Sequence, residues 1–88
     1  MIISQLAKNI QFLRKREKIS QQALASKTGL TRSNIASYEN GKAEPRATKL
    51  VQIARYFQVE LSNLIETNLQ QLSESELQAA GVYKPPTR

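Results

Sequence analysis

The sequence predicts a small all-α domain. Three observations predict it. Apolar residues recur at three- and four-residue spacing along most of the chain, the mark of helices with one buried stripe. Stretches that open on Ser or Thr and close on Gly follow one another through the first half, as capped helices do. No segment alternates apolar and polar residues with the period of two expected of a half-buried strand. Eighty-eight residues make one domain at most, with a thin core.

Each element has its own signal. Ile3, Leu6, Ala7, Ile10 and Leu13 share one helical stripe, which predicts a helix over residues 4–16. Ser20 caps a second helix over residues 21–28, and Gly29 ends it. Thr31 caps a third over residues 32–40, ended by Gly41. Pro45 marks a loop, because its ring excludes it from a helix interior. Leu50, Ile53, Ala54 and Phe57 lie on one side of a fourth helix over residues 47–57, and Val59, Leu61, Leu64 and Ile65 suggest a fifth. Beyond Ile65 two readings stay open. The fifth helix can run on to Leu72, which puts Leu61, Ile65, Leu69 and Leu72 on one stripe. Alternatively a short helix restarts at Ser73, with Glu76 at capping-box spacing and Gly81 as its stop. Pro85-Pro86 favours an extended tail. The chain therefore divides into a helical domain over residues 1–65 and an extension over residues 66–88.

Composition excludes several functions. There is no cysteine and no histidine, so neither a disulfide framework nor a zinc site is expected. No paired carboxylates and no phosphate-binding glycine fingerprint are present, so neither an enzyme nor a cofactor or small-molecule ligand is expected. No apolar run approaches the roughly 20 residues that span a membrane. Lys8 and Arg14 interrupt the amphipathic start, so no signal peptide is read there, and a cytoplasmic protein is expected. The net charge of +6 is uneven. Residues 1–57 hold eleven Lys or Arg against three Glu, a balance of +8; residues 58–88 hold two against four, a balance of −2. A basic block of this kind attracts a phosphate backbone.

The informative stretch is residues 20–45, SQQALASKTGLTRSNIASYENGKAEP. Two short helices joined by a glycine turn fit a helix-turn-helix, whose second helix enters the major groove. Ala25 sits where the two helices cross, and a methyl lets the backbones approach. Gly29 suits a left-handed turn residue. Leu24, Ile35 and Tyr38 have the spacing to fill the space beneath. Arg32, Ser33, Asn34 and Ser37 are left on the outer face.

Here the chain resembles the Cro/repressor (XRE) family of helix-turn-helix regulators over residues 6–65. The likeness rests on Ile10, Leu13-Arg14, Ser20-Gln21, Leu24-Ala25, Gly29, Ile35, Tyr38-Glu39-Asn40-Gly41, Pro45, Leu50, Ile53-Ala54 and Val59. It implies a compact, five-helix, lambda-repressor-like all-α domain that binds double-stranded operator DNA as a two-fold homodimer. Gln21 matches a backbone-phosphate contact beside a helix N-terminus. Arg32, Ser33 and Ser37 match positions facing base edges, with Asn34 at the margin and Thr31, the cap, beside them. Asn40 and Lys42 match phosphate contacts at the far end. Arg14 and Glu39 match an ion pair tying the first helix to the end of the third. Arg32 is the strongest base-reading candidate, since a guanidinium can bond guanine O6 and N7 together. Ala36 and Ser37 are short where some relatives carry longer amides, which shifts weight toward DNA shape. Leu69 and Leu72, left over by a finished five-helix core, are expected to dimerise, as is Phe12, which has no obvious place inside; the alternative is a tail that folds back over Phe12 within one chain or is disordered. The function expected is a sequence-specific transcriptional regulator, a repressor. The alternatives are a protein-interaction adaptor on the same fold, an antitoxin that represses its own operon, or a restriction-modification controller protein.

Overall fold

The computed structural model describes residues 4–85. Ile3 of the first stripe and Pro86 of the expected tail lie outside the described residues. Six helices and one 3₁₀ turn follow in order: α1 (Gln5–Arg16), α2 (Gln21–Thr28), α3 (Arg32–Glu39), α4 (Ala47–Phe57), α5 (Leu61–Glu66), the 3₁₀ turn (Leu69–Gln71) and α6 (Glu74–Ala79).

The starts of four helices follow from their caps. The hydroxyls of Ser4, Ser20, Thr31 and Ser73 accept from the backbone N–H three residues on. Thr31–Asn34 and Ser73–Glu76 complete reciprocal capping boxes. Gly29 ends α2 in the left-handed region (φ 75°), which lets the chain turn straight into α3.

Leu6, Ile10 and Leu13 of α1, Leu24 and Ala25 of α2, Ile35 and Tyr38 of α3, Ile53 and Phe57 of α4, and Leu64 of α5 form one buried core. α2 packs on α3, and α1 lies against α3 and α5. Phe12 is half-buried against this core.

The segment after α5 decides between the two open readings and corrects the dimerisation expectation. α5 stops at Glu66, and Thr67 is extended (φ −86°, ψ 134°), so the helix does not run on to Leu72. Leu69 is fully buried within its own chain, and Leu72 packs half-buried against the core. These residues therefore do not form an exposed dimerisation stripe. Leu77 and Val82 join the same core, so the residues described after Ile65 belong to the domain and do not extend from it.

The cause of the turn is Asn9, a polar residue with no solvent exposure. Its amide donates to the carbonyls of Leu64 (2.8 Å) and Thr67 (2.7 Å), which satisfies the otherwise unpaired end of α5. Its oxygen accepts from Gln5 (2.9 Å) and from the backbone N–H of Leu69 (3.3 Å).

After α6 the chain returns as a strap over residues 81–84. Gly81 (φ 90°) makes the turn, and a side chain there would run into Glu60. Val82 pairs with Val59 in an isolated antiparallel bridge. The Glu60 N–H donates to Gly81 (3.0 Å), and the Tyr83 N–H donates to Gln58 (2.8 Å).

Candidate nucleic-acid interface

The α2–turn–α3 unit is assembled from small residues. Ala25 is fully buried, and its carbonyl accepts from the Leu30 N–H (2.9 Å) just past Gly29. The Thr28 hydroxyl donates back to the Leu24 carbonyl (2.7 Å), so a buried polar group is satisfied inside its own helix. Ile35 and Tyr38 fix the inner face of α3 in the core.

The outer face is polar. Arg32 and Ser33 are exposed, Asn34, Ala36 and Ser37 are half-buried, and Asn40 and Lys42 are exposed beyond the helix end. Three of the candidate contact residues have local work as well. Thr31 Oγ1 accepts from the Asn34 N–H (3.0 Å), and Asn34 Oδ1 accepts from the Thr31 N–H (3.4 Å). Their acceptors hold α3 together at its start. Asn40 Oδ1 accepts from the Lys42 N–H (3.0 Å), so it shapes the turn that presents Lys42.

Arg14 and Glu39 form a bidentate pair, Nε to Oε2 at 2.7 Å and a terminal nitrogen to Oε1 at 3.0 Å. The Glu39 side chain is 2% exposed. A carboxylate at a helix C-terminus is opposed by the helix dipole, and the guanidinium compensates for it. Arg14 also donates to the Ile19 carbonyl (2.9 Å), so one side chain ties together α1, the loop before α2 and the end of α3.

Gln21 joins this network. Its amide donates to Glu39 Oε1 (3.3 Å), which leaves its own carbonyl oxygen and one amide hydrogen free at the α2 N-terminus. Sequence reasoning missed this link. No local signal could have found it, because the partners stand eighteen residues apart on different helices.

Among the described residues no group of His, Cys, Asp or Glu could hold a metal ion, and no helix is long and apolar enough to cross a membrane.

Comparison with known proteins bears on this geometry. The helix-turn-helix family matches residues 10–64. The chain is 35% identical over 60 residues to YqaE of Bacillus subtilis, described as an uncharacterized HTH-type transcriptional regulator; the match covers 68% of this chain and 52% of that one. It is 34% identical over 56 residues to the similarly described y4dL of Sinorhizobium fredii, covering 64% of this chain and 29% of that one. The chain thus spans about half of the first relative and under a third of the second. Among solved structures, the P22 c2 repressor in complex with a synthetic operator is similar with a TM-score of 0.68 at 26% identity, covering 70% of this chain and 94% of that one. The DNA-binding domain of the same repressor in solution gives 0.70 at 26% identity, covering 83% and 96%. A transcriptional regulator from Listeria innocua shares the fold, with a TM-score of 0.66 at 24% identity over 89% and 87% of the two chains. The matched residues include both helices of the reading unit and most of the core beneath them, and the chain belongs to the Cro/repressor (XRE) type of the helix-turn-helix family.

Proposed function

We propose that this protein is a transcriptional regulator, a repressor, that binds double-stranded operator DNA with α3 in the major groove. One observation carries the reading. α3 has an apolar inner face locked in the core and a polar outer face that includes an exposed arginine at its start. An adaptor would instead expose an apolar stripe there. The P22 c2 repressor, solved with a synthetic operator, supports the same reading.

In this proposal Arg32 reads a guanine edge, and Ser33, Ser37 and the Asn34 amide touch neighbouring base edges or phosphates. Thr31, Gln21, Asn40 and Lys42 meet the backbone on either side and set the register. The protein acts in the cytoplasm as a homodimer. A single recognition helix reads only a few base pairs, and a two-fold pair spaces two of them about 34 Å apart along the duplex.

The test is selection of bound sequences from a random duplex pool, followed by titration of the selected site at two salt concentrations. The expected result is a palindromic preference with steep salt dependence. No binding to any duplex at low salt would overturn the proposal.

A further inference from the structure

Resting on the DNA reading proposed above, we infer that Lys84 of the strap is a positioning residue for the backbone contact of α2. Through Glu17 it fixes the turn from α1 into α2, and with that turn the place of Gln21. Lys84 lies outside the reading unit and outside residues 10–64 matched by the family.

The turn needs a hold from outside. α1 ends at Arg16, Glu17 caps it, and Lys18 follows in the left-handed region (φ 57°). A residue with a side chain takes that conformation at a cost, so its surroundings must impose it. Ser20 then caps α2. Its hydroxyl accepts from the Ala23 N–H (3.0 Å) and its carbonyl from the Leu24 N–H (3.0 Å). Gln21 is the first residue of that helix.

Glu17 is gripped from α4 and from the strap. It is 4% exposed. Its Oε1 accepts from the Tyr56 hydroxyl (3.0 Å), and its Oε2 lies 3.3 Å from Lys84 Nζ. Lys84 is itself a fixed point. The Glu60 N–H bonds Gly81, the Tyr83 N–H bonds Gln58, and Val82 is buried between them. The Lys84 ammonium also donates to the Tyr56 carbonyl (3.3 Å). The strap is thus anchored without Glu17, whereas Glu17 Oε2 has no hydrogen bond and only this ion pair among the described residues. Removing the ammonium therefore loosens the end of α1 and leaves the strap seated.

Arg14 holds the other side of the same turn, through the Ile19 carbonyl (2.9 Å) and Glu39 (2.7 Å). That grip ties the turn to α3. Glu17 and Lys84 tie it to α4 and the strap, and the two together set where α2 begins.

The experiment compares Lys84→Met, Lys84→Arg and the paired variant Glu17→Gln with Lys84→Met, well below each melting transition. The paired variant strands no buried charge, so it stands in if Lys84→Met does not fold. In amide hydrogen exchange without DNA, Ala23 and Leu24 are expected to lose protection roughly threefold or more, while Ile35 at the start of α3 keeps its own. Lys84→Arg is expected to restore them. On the selected site, affinity is expected to fall roughly threefold or more. Gln21→Ala is then expected to cost less in the paired variant than in the parent, whereas Lys42→Ala costs the same in both.

Equal loss of protection at Leu24 and Ile35 would reduce Lys84 to general stability and overturn the inference. Strictly additive losses for Gln21 and Lys84 would overturn it too, since Lys84 would then act on DNA by itself. Because exchange is read without DNA, a parent that binds no duplex but shows the local pattern at Ala23 and Leu24 would fail the DNA reading alone.

Discussion

Glu39 shows how much a single residue of this interface carries. Its carboxylate binds Arg14 twice and accepts from Gln21, almost without solvent. Removing it strands a guanidinium between helices and releases the Gln21 amide. Glu39→Ala is therefore expected to lower stability by on the order of 3 kcal/mol in urea unfolding. Glu44→Ala, on an exposed loop, is expected to change it by less than about 0.5 kcal/mol. Arg32 makes no such internal bond and is exposed, so its role is tested on DNA. Arg32→Ala is expected to lose about 1–3 kcal/mol on the selected site and to relax preference at one base pair, read by competition between site variants. Equal affinity of Arg32→Ala for every site would misplace the reading face. Tyr56 supplies a pH test. Burial, and a hydrogen bond to Glu17 reinforced by its negative charge, push the Tyr56 phenol from 10.0 up to about 12. A folded-state value raised above the unfolded one contributes stability that is complete below pH 10 and is lost as pH rises through about 12. Phenolate absorbance is expected to show a late-titrating tyrosine that Tyr56→Phe removes.

At the scale of elements, the strap and α6 matter more than their length suggests. The strap's Lys84 ammonium sits 3.3 Å from the buried Glu17 carboxylate and 3.7 Å from the centre of the Tyr56 ring. The Lys84 backbone carbonyl accepts from Arg16 (2.7 Å), which in turn pairs with Glu74 of α6 (2.6 Å). Glu17 Oε2 has no hydrogen bond, so Lys84 is the charge that compensates it. Lys84→Met keeps the aliphatic stem and removes that charge; it is expected to lower the melting temperature, whereas Lys27→Met, on an exposed helix face, leaves it unchanged. Leu77, the one core residue of α6, is 1% exposed. Leu77→Ala is expected to cost about 2–5 kcal/mol, measured by urea unfolding. A chain ended after Ile65 loses Leu69, Leu77 and Val82 from its core and uncovers Asn9, so it is expected to lose its cooperative thermal transition. A sharp transition in that shorter chain would show that the first five helices are complete without the rest.

Over the whole molecule, charge and shape work toward one partner. The +8 balance belongs to residues 1–57, the stretch that includes α1 to α4, and the −2 balance to residues 58–88. Long-range attraction to a phosphate backbone therefore comes from residues 1–57. Binding to the selected site is expected to fall with salt on a log–log slope of about −0.9 per phosphate neutralised. Lys42→Ala is expected to weaken all duplexes alike and to flatten that slope by about 1. A slope near zero for the parent would remove the electrostatic basis of the reading.

The sequence by itself determined the helices up to Phe57, the caps at Ser20 and Thr31 and the residue types on the outer face of α3. These rest on signals a few residues long: an apolar stripe, a hydroxyl three residues before an N–H, a glycine where the backbone turns left-handed. It also contained the capping box at Ser73 and Glu76, as one of two open readings. The tertiary structure decided between them. Leu61, Ile65, Leu69 and Leu72 suit one long stripe, and nothing within that segment forbids it. The choice is made by Asn9, whose amide bonds the Thr67 carbonyl from 58 residues away and favours an end to α5 over another turn. The same holds for Gln21 on Glu39 and Lys84 on Glu17. Each is a polar pair brought together only when the helices dock, and the cost of leaving a buried polar group unpaired selects it. Local chemistry specified what each helix is; which leucine is core and which is surface was decided by where the chain had to turn.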